Sequence, residues 1–298
     1  MKDVMLIGQA SRDENIDYTG NKVIEYGGAV FYGEYAVRAS GGAVFASLKM
    51  NPGDRNIIDA YDLDDDHMKI LPSRKTTNMR NTYFTKDRER RLTEIVQQAD
   101  QIACDEIPDI ACSIYHVAGL LYGDFDEQLF PFLAERGKVS ADMQAFLRHN
   151  EEGRSVYHDW QNKKKYMPYF SYLKTDSAEA EILTGTSDRR KAAEILHSYG
   201  AKEVMVSNSE EMLIFDGEKY YTAPVRARNL SGRTGRGDTV FASYLTRRNK
   251  GDDIQKALVF ATAAVSKKME QPGPLRTDVN GILEYIRLLY PEYVNLFD

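Results

Sequence analysis

Cysteine, tryptophan and long apolar runs are all scarce in this chain. Its two cysteines, Cys104 and Cys112, form neither a disulfide framework nor a zinc pattern, because no second pair and no matching histidine spacing accompanies them. Both read as reduced thiols. No segment approaches the ~18 uninterrupted apolar residues of a membrane span, and the apolar run in MKDVMLIGQAS is too short for a signal peptide. A cytoplasmic protein without a membrane partner is expected. Positive charge is in deficit as well, with 39 Lys and Arg against 45 Asp and Glu and a net charge of -6. That balance speaks against a general affinity for nucleic acid, which needs clustered basic residues. The basic run Lys163-Lys164-Lys165 reads as a solvated loop or helix end. The acidic stretch DLDDDH at 62–67 lacks the central glycine of a calcium loop, and Ser73 stands where a bidentate Glu is required. It reads as a solvated turn.

What is present is ordinary for a globular protein: 298 residues, 42% hydrophobic and 28% charged, enough for one large core or two smaller ones. Strand and helix patterns alternate along most of the chain. DVMLIG, SIYHVAGLL from 113, GKVSADM from 137, FSYLKTD from 170 and KEVMVSN from 202 read as short buried strands. DEQLFPFLAERG, SAEAEILTG and SDRRKAAEILHSYG, the last closed by Gly200, read as helices between them. This alternation predicts an α/β fold with a mostly parallel sheet covered on both faces. Ligands bind such sheets beyond the carboxyl ends of the strands, and Asp13, Asp142, Asp176 and Asn208 fall near such ends.

Two regions break the pattern. Residues 11–28 and 74–104 are rich in Thr, Tyr and Arg with alternating polarity, which suits a small antiparallel sheet with one wet face. They are expected to form a β lid on a main domain made of residues 1–10, 29–73 and 105–298. A lid would exclude water from a reaction. Exposed lid strands also offer edges through which a homodimer could pair.

The most informative stretch is SGRTGRGDTVFASYLTRR, residues 231–248. Val240, Phe241, Tyr244 and Leu245 follow a helical apolar stripe, so Gly235 and Gly237 sit where a helix starts. Unpartnered backbone N–H groups and the helix dipole favour an anion there, and glycine lets a phosphate approach closely. Asp238, an acid beside that anion, has two readings on this stretch alone: a helix cap, or a general base that deprotonates a hydroxyl in line with a bound phosphoryl group. A Walker A loop is excluded, because no Gly-Lys-Ser/Thr follows.

TGRGDTVFASYL resembles the C-terminal signature of the ribokinase (PfkB) family of carbohydrate and nucleoside kinases, written D-T-x-G-A-G-D. The resemblance continues in order along the chain: SRDEN after the first strand, the Gly27-Gly28 pair, the lid-like segments, and KTDSAEAEILTG in place of the family's N-x-x-E stretch. GKVSADMQAFLR is similar to a branch that includes myo-inositol kinase-like proteins. The resemblance implies a ribokinase-like fold and an ATP- and Mg²⁺-dependent kinase acting on a hydroxyl of a small sugar or polyol. Asp238 would be the catalytic base, and the backbone N–H groups of Gly235, Arg236 and Gly237 the anion hole. Asp13, Asn15, Gly27, Gly28 and Asp142 would bind the acceptor; Asp176, Ser207, Ser209 and Thr234 the nucleotide; and Glu179 would organise Mg²⁺ through water.

Four departures qualify this. Gly232 stands where the signature has its first Asp, so the resemblance does not extend to a monovalent-cation site built on that carboxylate. Tyr32 replaces the Asn usual after the Gly-Gly pair, and SNSEEM at 207–212 replaces T-x-G-x-x-G beside the nucleotide. Arg236, in the place of Ala, adds a charge near the anion hole. A nucleoside kinase and a non-catalytic sugar- or nucleotide-binding protein on the same fold are the alternatives.

Overall fold

The protein's computed structural model describes residues 1–85 and 91–297; residues 86–90 of the expected 74–104 lid segment lie outside the described residues. The strands, in chain order, are β1 (Lys2–Gln9), β2 (Ser11–Ile16), β3 (Lys22–Gly27), β4 (Val44–Met50), β5 (Met68–Pro72), β6 (Thr77–Tyr83), β7 (Arg91–Gln97), β8 (Cys112–Val117), β9 (Lys138–Asp142), β10 (Arg148–Glu151), β11 (Arg154–Tyr157), β12 (Phe170–Asp176), β13 (Glu203–Ser207), β14 (Glu211–Phe215) and β15 (Tyr220–Pro224). They form two sheets, ordered β15-β14-β13-β12-β9-β8-β1-β4-β5 and β10-β11-β7-β6-β2-β3 among the described residues.

The large sheet is parallel from β13 through β5; β14 alone runs against it, antiparallel to both β13 and the edge strand β15. Both of its faces are buried, and the period of two shows how. In β1, Val4 and Leu6 join one apolar cluster while Met5 and Ile7 join the other. In β13, Met205 faces the first cluster and Val204 and Val206 the second. A strand apolar on both faces needs helices on both sides. Helices Ala29–Ala39, Arg236–Asn249 and Ile254–Met269 supply residues to the first cluster; Leu129–Ala134, Ser177–Thr184 and Arg189–Ser198 supply the second.

Because the central strands are parallel, their carboxyl ends share one edge, which carries Gln9, Asp142, Asp176 and Ser207. From that edge the chain leaves β1, passes Ala10 and enters β2 of the second sheet. Asp13 therefore lies inside a strand rather than in a strand-end turn. The second sheet is not wholly antiparallel, since β2 pairs with β6 in parallel register, Asp13 opposite Met79. It also takes in β10 and β11, a hairpin at 148–157 in a stretch that the sequence pattern assigns to the main body. Glu152 (φ 52°) and Gly153 (φ 84°) form its two-residue turn, the left-handed pair that matches the twist of antiparallel strands. Among the described residues no helix is long and apolar enough to cross a membrane.

Candidate active site

The glycine loop and the helix behind it come first. Gly235 is the N-cap of helix Arg236–Asn249 at φ 77°, a left-handed conformation that suits glycine. A Cβ there would also lie 2.1 Å from the Tyr32 ring, so the loop can close onto that aromatic only without a side chain. Asp238 stands in the first turn and is not the cap. The Arg236 N–H turns back to the Arg233 carbonyl at 3.3 Å. The expected three-amide anion hole therefore has Arg236 N–H drawn into a turn in this structure.

Beneath the loop lies a charge cluster that joins the ends of β9 and β12. Lys174, in β12, donates to Asp142 Oδ2 at 2.6 Å, with both side chains 7% exposed. A Cβ on Gly237 would come within 2.8 Å of the Lys174 ammonium and 3.9 Å of Asp142 Oδ2. The pair therefore lies directly under the loop. Asp238 keeps a narrow opening to the cleft, yet the surrounding protein desolvates its carboxyl and pushes it up to about 6, with Asp142 adding to the rise and Lys174 opposing it. Burial alone would lower Lys174, but the carboxylates of Asp142, Glu179 and Asp238 outweigh it and hold the ammonium above its ordinary value.

Asp176 and Glu179 form a reciprocal capping box at the start of helix Ser177–Thr184, the outcome of the D-S-A-E spacing. Asp176 Oδ1 accepts from Glu179 N–H at 2.9 Å, and Glu179 Oε2 accepts from Asp176 N–H at 2.9 Å. Glu179 is buried, not a surface helix residue, and desolvation with the nearby Asp142 charge pushes it up to about 7. Each carboxylate keeps a second oxygen outside the box. Among the described residues no group of three or more His, Cys, Asp or Glu side chains could cage an ion. Mg²⁺ does not require a cage, because it keeps several waters and binds through one or two carboxylates and substrate phosphates. Asp176 and Glu179 fit that pattern.

On the lid side, burial pushes Asp13 up to about 6, against the pull of Arg148 and Arg91 and with Glu25 adding to the rise. Asp13 Oδ1 is buried without a hydrogen-bond partner, an arrangement that costs free energy unless a ligand donor arrives. Gln9 Oε1 and Asn78 Oδ1 are likewise buried and unpartnered, although the register places Asn78 opposite Arg12 rather than opposite Asp13. Neither residue stands out in the sequence, since each sits within a strand pattern without a motif. Gly27 leaves room beside Asp13, and Gly28 (φ 103°) permits a close approach, because a Cβ there would lie 2.6 Å from the Gln9 carbonyl. Asn15 is placed differently. Its amide donates to Glu25 at 2.7 Å and its oxygen accepts from Asn81 at 3.0 Å, so it belongs to a row of polar side chains across the lid.

The donor-side residues divide in the same way. Ser207 is buried and its hydroxyl donates to the Thr175 carbonyl at 3.3 Å. Ser209 is exposed in the turn before β14, where the Asn208 side chain accepts from the N–H groups of Glu210 and Glu211 at 2.8 Å each. Met212 packs in the core. Thr234 is exposed and contributes its carbonyl to Lys268. Two arginines fall close together instead: burial and the neighbouring Arg233 guanidinium lower Arg236, with Asp176 opposing them and Arg91 adding to the repulsion.

A parallel-sheet edge, an amide loop at a helix start and an enclosed carboxylate beside it define a phosphotransferase that acts on a hydroxyl group. The pfkB family carbohydrate kinase profile matches residues 55–278, and the chain belongs to that family. It is similar, at 36% identity and TM-score 0.84, to a pyrophosphate-dependent kinase in the ribokinase family solved with a pyrophosphate analog and myo-inositol; the alignment covers 94% of this chain and 99% of that one. The fold alone is shared with the ribokinase of Arabidopsis thaliana complexed with ribose and ATP (16% identity, TM-score 0.77, 96% of this chain and 99% of that one). A cytidine kinase of Thermococcus kodakarensis is 30% identical over 83 residues. That match spans 27% of this chain and 30% of the archaeal protein.

Proposed function

We propose that the protein transfers a phosphoryl group from inorganic pyrophosphate to a hydroxyl of a small cyclic polyol of the inositol kind. The observation that carries the donor assignment is the crowding of Arg233 and Arg236 beside the glycine loop, with Arg91 facing them from the lid. Guanidinium groups that lie close to one another offer a compact polyanion several charge-assisted hydrogen-bond donors. Pyrophosphate concentrates its charge where these guanidinium groups lie. ATP needs a surface for its base and ribose as well, and the turn that would supply it carries Ser209 and Met212 where the family pattern has glycines. The likeness to a pyrophosphate-dependent kinase supports the same reading. ATP is the competing donor, and it is the one the family signature favours.

The acceptor assignment rests on Asp13. A buried carboxylate oxygen that lacks a partner suits a ligand rich in hydroxyl donors, and one carboxylate can fix two neighbouring hydroxyls. The 83-residue likeness to a cytidine kinase favours a nucleoside instead, but the Tyr32 ring is packed against Gly235 and Lys268 and offers no free face to a base.

In the proposed reaction the acceptor oxygen attacks the donor phosphorus and passes its proton to Asp238. The new O–P bond forms as the bridging P–O bond breaks, and orthophosphate leaves toward Arg233 and Arg236. Gly235 and Gly237 N–H groups and the Lys174 ammonium face the charge that develops on the transferred group. When bound, Mg²⁺ supplies further neutralisation of the donor, held through water by Asp176 and Glu179. Because Asp238 acts as a base only when ionised, kcat/KM should fall below pH about 6 with a slope of at least one. A rate flat down to pH 4 would contradict the assignment.

The donor is tested by steady-state kinetics with myo-inositol and either pyrophosphate or ATP, each with Mg²⁺. We expect kcat/KM for pyrophosphate to exceed that for ATP, and Arg236→Ala to weaken pyrophosphate use more than ATP use. A preference for ATP in the wild-type enzyme would overturn the donor assignment.

A further inference from the structure

Lys268 lies in the last turn of helix Ile254–Met269 and is 3% exposed, an unusual place for a lysine that pairs with no carboxylate among the described residues. Its ammonium donates to the Gly232 carbonyl at 2.6 Å and to the Thr234 carbonyl. It also stands 5.2 Å from the centre of the Tyr32 ring, the aromatic on which Gly235 packs. The loop is tied to the same helix end a second time, through the Gly232 N–H to the Met269 carbonyl at 2.8 Å. Gly232 itself has no room for a side chain, since a Cβ would lie 1.8 Å from the Gln271 carbonyl oxygen. A carboxylate at position 232 is therefore excluded by packing, and what occupies the space beside the loop carbonyls is an ammonium.

The consequence follows from the geometry of the peptide unit. A trans peptide is planar, with its C=O and N–H pointing in opposite directions. When the carbonyls of Gly232 and Thr234 are both drawn to Lys268, the N–H groups of Arg233 and Gly235 are turned away from the ammonium. We infer that Lys268 is a built-in cation for the anion-binding loop: it fixes the carbonyl side of residues 232–235, presents the amide side to the donor phosphates, and makes turnover independent of added monovalent cation. This rests on the reading of the 232–238 loop as the donor site. An ammonium and a potassium-sized ion are interchangeable in this role, because each is a single positive charge that gathers carbonyl oxygens. A tethered ammonium has the further property that no salt concentration can empty its site. Burial lowers Lys268 to about 8, with Asp238 and Glu25 opposing the shift, so the group is still mainly charged at neutral pH.

The test measures turnover with Mg²⁺ in buffers whose monovalent cation is tetramethylammonium, sodium, potassium or ammonium. Wild-type turnover is expected to be the same in all four. Lys268→Met should lose about 10²-fold, the scale of losing one oxyanion-stabilising group, and should recover severalfold with potassium or ammonium but not with tetramethylammonium. That recovery separates a cation site from a lysine that only packs. Activation of the wild-type enzyme by potassium would overturn the inference, as would a Lys268→Met enzyme with unchanged turnover or with a loss that no cation repairs. If the variant does not fold, the wild-type comparison decides alone. Calorimetric titration with inorganic pyrophosphate, which needs no acceptor, keeps this inference apart from the proposed reaction. Binding that weakens in Lys268→Met and returns with potassium supports Lys268 even where no polyol is phosphorylated.

Discussion

Asp238→Asn is expected to lower turnover by ~10²–10⁴-fold, the usual worth of a positioned general base, while leaving the melting temperature unchanged or slightly raised. The two halves of this expectation have one source. Asp238 is not the cap of its helix, a role that falls to Gly235, so the asparagine loses no capping bond. Its carboxyl is desolvated and lies beside the Asp142 carboxylate, both of which penalise its charge. Removing that charge therefore relieves the fold at the place where it disables the chemistry, a trade between stability and activity common at catalytic sites. Thermal denaturation and kcat measured on the same preparation check it. A large fall in melting temperature with turnover intact would return Asp238 to a structural role.

Lys174→Met is expected to damage both properties, and a second substitution should separate them. The Lys174–Asp142 pair is buried at 2.6 Å, and removing one member of such a pair strands the other, at a cost of about 3–5 kcal/mol. Replacing both members by apolar groups is often close to neutral. The double variant Lys174→Met, Asp142→Leu should accordingly regain most of the lost stability. It should not regain turnover, because the ammonium 2.8 Å from the Gly237 Cβ position is gone. Chemical denaturation of the single and double variants, with kcat for each, reads the two effects. Recovery of turnover along with stability would show that the pair serves only the fold.

The sequence makes the backbone of this site legible and leaves much of its charge hidden. Alternation of strand and helix places Asp142 and Asp176 at one sheet edge, and the glycines before Val240 mark a helix start; each signal spans a few neighbouring residues. Lys174 is invisible by that route, because FSYLKTD reads as a buried strand and the lysine's partner is 32 residues away. Lys268 is hidden in the same manner, in a helix whose other buried positions are mostly apolar. The hairpin at 148–157 carries a local sign, Glu152-Gly153, but its strands are short and polar. Asn15 shows the opposite limit: its position after Asp13 suggests a ligand contact, whereas cross-strand pairing commits it to Glu25 and Asn81.

Transfer between pyrophosphate and a polyol hydroxyl can be followed by phosphorus NMR of the wild-type enzyme with pyrophosphate, Mg²⁺ and myo-inositol. A phosphomonoester resonance and orthophosphate should grow in equal amounts as pyrophosphate declines, and neither should grow in Asp238→Asn. Two equivalents of orthophosphate and no ester, or pyrophosphate left intact while ATP yields the ester, would contradict it.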